Sequence, residues 1–331
     1  MARRIAVVFV CTMLVATYFT STAVAENHFE KLNKKFKTHR YYNDTIEDIA
    51  DMGDAAVIDL LSIINKSSDT KDASSRKHDW MVKVTAMNLL GELKSPAALM
   101  PLKEMLSESD NISAIYNSAR TIGNIGGRLA FQILRKTLAK SNSANCTYPV
   151  VRKKAAILGL GLCVDTRAIP LLKAELNNIN NNEQTRIYAA GALGMLGVKD
   201  GYDIALASID STDGIIKSSA ITSLGMIGDP AALESLNRID QGDTLIVPRR
   251  AARVAIAMIE SKRLTGDDKV NFLKKKLKKN PRMTEMIRWG TAKLKRINSK
   301  SSRNALNDLA SDAPEHSSLR HAASLKFKTM K

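Results

Sequence analysis

The sequence predicts an all-α fold, an α-solenoid (superhelix) of about eight stacked helical pairs. Three observations carry this expectation. Ala, Leu and Ile are abundant while aromatics make up only 5% of the 331 residues, a composition that suits close helix packing better than a β-sandwich. One phrase recurs: a basic residue, an Ala or Ala pair, Leu-Gly-x-Ile/Leu-Gly, a turn, then Ala-x-x-x-Leu. Its anchors fall 31 to 41 residues apart, the period of helix pairs that bury their apolar stripes by stacking on neighbours.

The first 25 residues stand outside this pattern. Arg3 and Arg4 precede an apolar run from Ile5 to Phe19, and small residues at Ala23 and Ala25 precede Glu26. This is the three-part pattern of a secretory signal. The chain from Glu26 onward is expected to be exported, periplasmic or secreted, with an uncleaved N-terminal anchor as the alternative. No later segment is apolar enough to cross a bilayer. Residues 26–45 are expected to cap the array, which then occupies 46–331.

Within the array the anchors are Ala50, Gly91, Gly123, Gly161, Gly194, Gly225, Ala257, Arg296 and Lys328. Gly after Leu helps to stop a helix, and Gly228-Asp229-Pro230 combines a stop with a Pro-led start. Ile169, Leu172 and Leu176 are spaced to form one apolar stripe. Polar stretches at 66–79, 139–147, 177–184, 240–248 and 311–318 are expected between helices. Cys146 and Cys163 flank a helix predicted over 149–162. Its ends would lie about 20 Å apart, too far for a disulfide, so both cysteines are expected to be unpaired.

The stretch from Val151 to Leu172 resembles the HEAT-like repeats of phycobilisome lyases, whose motif is V-R-x-x-A-A-x-A-L-G-x-I-G-D-x-x-A-I-P-x-L. With drift, the resemblance covers nearly the whole array. It implies that the helices carrying the Leu-Gly phrase line the concave face, here about 80–93, 113–126, 149–163, 184–197, 214–228, 248–260, 283–297 and 317–329. It also implies an inter-repeat ladder. Eight residues before the anchors stand Lys83, Ile115, Lys153, Arg186, Lys217, Arg249, Arg288 and Arg320. Asp110, Asn182, Asp210, Asp213 and Asp243 sit in suitable turns to pair with them. A positive stripe along the concave face is the alternative reading of this column.

Charge is concentrated near the C-terminus. The formal net charge is +17, and Lys262 to Arg303 holds 15 Lys/Arg against 3 Asp/Glu. Val270, Leu273 and Leu277 form a seam that docks the basic helix and leaves Lys274, Lys275, Lys276, Lys278 and Lys279 outward. With Arg282, Arg288, Lys293, Lys295 and Arg296, these are the candidate binding residues for an anionic partner. Acidic proteins, anionic polymers and anionic lipid surfaces fit an exported chain. Compartment argues against nucleic acid, as does the scarcity of stacking aromatics, with only Phe272 and Trp289 nearby.

No catalytic pattern appears. The histidines His28, His39, His78, His316 and His321 form no metal-binding spacing, and no nucleophile elbow or phosphate loop is present. The expectation is therefore a protein without cofactor, metal or catalytic activity, acting as a protein-binding scaffold. Binding of anionic polymers or membranes through 262–303 is the alternative, and a lyase-like enzyme on the same repeats is a third reading.

Overall fold

The computed structural model describes residues 52–65, 73–143, 145–314 and 317–330. The expected signal and the 26–45 cap lie outside the described residues. The described chain is all-α and holds sixteen helices, which form eight pairs. The outer helices are α1 (Val57–Asn65), α3 (Leu99–Glu108), α5 (Gly127–Lys140), α7 (Ile169–Asn177), α9 (Tyr202–Ala207), α11 (Leu233–Gly242), α13 (Gly266–Lys279) and α15 (Lys300–Asp312). The inner helices are α2 (Ala73–Glu92), α4 (Ile112–Ile125), α6 (Pro149–Leu162), α8 (Glu183–Met195), α10 (Gly214–Ile227), α12 (Ile246–Lys262), α14 (Thr284–Ile297) and α16 (Ser318–Lys328). Seven inner helices start and stop within two residues of the expected bounds. The first extends further back, because the polar stretch expected to interrupt the chain over 66–79 is already helical from Ala73.

Several inner helices are started by local chemistry. Asn111 Oδ1 accepts from the Ala114 amide, Asn182 Oδ1 from Thr185, and Asp213 Oδ1 from Ile215. Pro149 supplies the first turn of α6, where a missing N–H costs nothing. Outer helices α3, α7 and α11 are led by single 3₁₀ turns, Pro96–Ala98, Thr166–Ala168 and Pro230–Ala232. Ala98, Ala168 and Ala232 in those turns are fully buried.

Close approach of the inner helices explains the Leu-Gly phrase. A Cβ placed on Gly123 would lie 2.5 Å from the Gly159 carbonyl oxygen, and one on Gly194 would lie 2.5 Å from the Ile227 amide nitrogen. Backbone meets backbone at these points, and only Gly permits it. The core is a column of Leu and Ile between inner and outer layers, including Leu102, Leu134, Leu172, Leu193 and Leu236. Of the stripe expected on α7, Leu172 and Leu176 are buried, while Ile169 packs half-buried against the core.

The column is not continuous. One core cluster runs from Ala56 to Ile259, and another from Val270 to Met330. Between them sits a small group, Ala257, Met283 and Met286. The Gly of the repeated phrase has become Ala257 at this joint, and two methionines fill the space. Bulk has replaced close backbone approach, so the last two pairs form their own core.

Cys146 and Cys163 are free thiols. Among the described residues, no helix is long and apolar enough to cross a membrane.

Candidate binding surfaces

Curvature is tight on the side lined by the inner helices. The rings of Tyr116 on α4 and Tyr188 on α8 lie 6.4 Å apart, centre to centre, although α6 separates their helices in the stack. Lys154 on α6 sits 5.8 Å over the Tyr188 ring and donates to Gln184 at 2.6 Å. Side chains two repeats apart can touch only on the inside of a curve, so this is the concave face.

The curvature brings the two ends of the array together. Lys295 Nζ, on α14, donates to the Glu92 backbone oxygen (3.1 Å), to Glu92 Oε2 (3.1 Å) and to Thr329 Oγ1 (2.8 Å). Lys326 Nζ, on α16, donates to Glu92 Oε1. Leu325 packs on the N-terminal core. Burial alone would raise the Glu92 carboxyl, but Lys326 and Lys295 bring it below its ordinary value. Lys295, expected to meet a ligand, instead closes the superhelix.

Other candidate lysines also find partners within the chain. Lys274 pairs with Asp308 at 2.5 Å, Lys276 with Glu260 at 2.8 Å and Lys278 with Asp312 at 2.9 Å. Lys276 also lies 5.0 Å over the Phe272 ring. The 262–303 window counts the cations but leaves out Glu92, Glu260, Asp308 and Asp312, which answer four of them. Lys274–Asp308 and Lys278–Asp312 share a separation of 34 residues, one repeat, which is the signal that would have exposed them. Lys275, Lys279, Arg282, Arg288 and Arg296 are exposed. Lys293 is half-buried, and burial together with the charges of Lys269 and Arg296 holds its ammonium below the usual value.

The basic column divides by direction. Lys153 pairs with Glu175 (3.3 Å) and Asn181 (2.8 Å), and Lys217 with Asp243 (2.9 Å), each reaching forward into the next repeat. Arg186, Arg249 and Arg320 donate to the carbonyls of Leu176 (2.9 Å), Asp240 (3.1 Å) and Ala313 (3.3 Å). Those carbonyls end the outer helices of their own pairs, where a cation is favoured by the helix dipole. Lys83 is half-buried on α2. Arg288 stands apart from the ladder, without a hydrogen bond or ion pair among the described residues. Of the turn residues expected as partners, Asp243 serves Lys217. Asn182 and Asp213 cap their own helices, and Asp210 holds Arg238 at 3.0 Å.

Two basic residues outside the expected set are strongly bound. Arg152 is 3% exposed. It donates to the carbonyls of Leu106, Ser109 (2.9 Å) and Thr147 (2.8 Å), and so ties the end of α3 to α6. Lys262 donates to the carbonyls of Met226 (2.9 Å) and Ile227 (2.6 Å), at the end of α10.

A different surface is apolar. Ile112, Val150, Ile215, Ile246 and Val247 occupy the first two positions of α4, α6, α10 and α12, and Ile179 lies in the turn before α8. All are exposed, Ile179 to 87% and Ile215 to 67%. Tyr148 and Leu245 are exposed beside them. The row follows one edge of the solenoid through five consecutive repeats and stops where the core divides. A cleft of about 300 Å³ opens on this edge between α8 and α10, lined by Asn182, Glu183, Gln184, Asp213, Ile215 and Ile216.

The architecture is that of an α-helical repeat protein. Residues 169–257 match the family model for HEAT repeats. No curated protein matches the chain. Among solved structures, human deoxyhypusine hydroxylase in complex with glycerol is similar, at 16% identity over 71% of this chain and 85% of that one, with a TM-score of 0.32. The complex of CpcE and CpcF of phycocyanin lyase from a Nostoc species is similar at 16% identity, over 82% and 93%, with a TM-score of 0.39. An engineered protein is similar at 15% identity, over 94% and 90%, with a TM-score of 0.31.

Proposed function

We propose that this protein is a non-catalytic, exported scaffold that binds a protein partner along the apolar edge formed by the N-terminal ends of its inner helices. The carrying observation is the row Ile112, Val150, Ile179, Ile215, Ile246 and Val247. Isolated exposed apolar side chains are ordinary on a protein surface. A row repeated at one register through five repeats is a patch, and patches of that kind mark interaction sites. Export is supported by the signal-like pattern of residues 1–25.

Cross-linking in the native compartment followed by mass spectrometry tests the reading. Ile215→Asp and Ile246→Asp are expected to lose a discrete cross-linked partner that Lys275→Glu and Lys279→Glu retain. The opposite pattern, with binding that also falls steeply with salt, would instead support the anionic-surface reading through the exposed Lys275, Lys279 and Arg282. Export is tested by the N-terminus of the isolated protein, expected at Glu26.

A further inference from the structure

Where the two ends of the superhelix meet, the inner face carries more positive charge than it neutralises. Arg120 of α4, Arg288 and Lys295 of α14, and Lys326 of α16 converge there. Glu92 faces the two lysines, and both its oxygens are taken, Oε2 by Lys295 and Oε1 by Lys326.

Arg120 is half-buried and donates through Nη2 alone, to Asn88 Oδ1 (3.0 Å) and Asn117 Oδ1 (3.0 Å). Both acceptors are neutral amides. Its Nε and Nη1 donate to nothing among the described residues. Arg288 is exposed. Helical spacing aligns the two. Asn88 and Glu92 stand one turn apart on α2, and Arg288 lies two turns before Lys295 on α14. Lys295 touches Glu92 and Arg120 touches Asn88, so both guanidiniums come to the same stretch of the face. Burial and the nearby charge of Arg288 hold the Arg120 guanidinium below its ordinary value.

Several other arginines find their acceptors within the chain. Arg152, Arg186, Arg249 and Arg320 end on backbone carbonyls, and Arg238 and Arg253 end on carboxylates. Arg120 and Arg288 lie within reach of each other's charge, and Glu92, the carboxylate that also acts on Arg120, is already held by two lysines.

We propose that Arg120 and Arg288 form a site for a phosphate group, free or as an ester, on the inner face beside Glu92. A phosphate carries the two charges that a pair of guanidiniums requires, and its oxygens accept the forked donors that Arg presents. Asn88 and Asn117 orient Arg120, leaving Nε and Nη1 for the ligand. Binding bridges α4 to α14 and so strengthens the closure of the superhelix. The proposal is independent of the apolar edge.

The test is calorimetric titration of the purified protein with inorganic phosphate, alongside thermal unfolding in phosphate and in chloride at equal ionic strength. Phosphate is expected to raise the unfolding midpoint where chloride does not. Arg288→Gln removes a side chain that makes no internal bond, so it leaves the midpoint in chloride unchanged and weakens phosphate about ten-fold or more. Arg120→Gln gives the same loss, and Lys279→Gln binds as the unmodified protein does. Phenyl phosphate separates the sources: binding as tight as inorganic phosphate assigns an ester, and weaker binding assigns the free ion. Equal midpoints in phosphate and chloride, or full phosphate affinity in Arg288→Gln, would overturn the proposal.

Discussion

Glu92→Gln tests whether closure of the superhelix rests on one carboxylate. In the folded protein Glu92 accepts from two ammonium groups, Lys295 and Lys326, whose side chains are 18% and 11% exposed. The substitution keeps the shape and one acceptor oxygen but removes the charge. Two cations are then left beside each other without a counter-ion. A charge-assisted hydrogen bond contributes about 1.5–3 kcal/mol, and breaking a buried pair costs about 3–5 kcal/mol. Glu92 retains 21% exposure, so solvent screening lowers the expected loss to about 2–4 kcal/mol.

The loss should be local. The two ends are joined by these contacts and by Leu325, while each repeat remains stacked on its neighbours. Small-angle scattering is therefore expected to show a larger radius of gyration for Glu92→Gln at pH 7. Hydrogen exchange should speed up in α14 and α16 before the central repeats. The pH dependence follows from the lowered carboxyl. Its folded value lies below 4.5, so the contribution is present above about pH 5 and is lost as pH falls through the folded value. The difference between the two proteins should vanish in acid. An unchanged radius and unchanged exchange in α14 and α16 at neutral pH would refute the clasp.

The local architecture was legible because it depends on short-range chemistry. Leu-Gly marks a helix that must approach another backbone, and a Cβ on Gly123 or Gly194 would come within 2.5 Å of the neighbouring backbone. Asn111, Asn182 and Asp213 cap inner helices, and Pro149 begins one. The division of the core was also written in residues, since Ala257 and Met283 replace the small packing of earlier repeats, but its consequence depends on volumes in three dimensions. Closure was not legible. Glu92 and Lys295 are 203 residues apart, and their meeting depends on a small rotation per repeat summed over the array. For the same reason Lys274 and Lys278 looked unpaired, when their acids lie one repeat further along.

Three other expectations follow from packing. Gly194→Ala should gain about 1 kcal/mol of helix propensity yet lose about 1–3 kcal/mol to backbone collision, whereas Gly242→Ala, with nothing within 4 Å, should be neutral or stabilising in urea titration. Arg152→Met should lose about 2–4 kcal/mol by chemical denaturation, since three carbonyls forfeit a buried charged donor, and a loss under 1 kcal/mol would deny it a structural role. Burial, and then Asp165, raise the Cys163 thiol above 9.0. Its alkylation at pH 7.5 should therefore be slower in the folded than in the unfolded chain, because the thiolate is the reactive form.

The tight inner curve bears on where a partner can bind. An open solenoid offers its concave face as the largest continuous surface. Here Tyr116 and Tyr188, two repeats apart, lie 6.4 Å centre to centre along that face, so the face is tightly curved. The ends are tied at Glu92, and the remaining inner charge gathers at Arg120 and Arg288. The edge is different. Neighbouring inner helices are spaced about 8–10 Å apart, so the ends of five of them extend the apolar row over roughly 30–40 Å, long enough for an extended or helical segment of a partner. Loss of the clasp should thus change phosphate binding and leave edge binding intact. If Glu92→Gln abolished both, the two surfaces would have to share one conformational requirement.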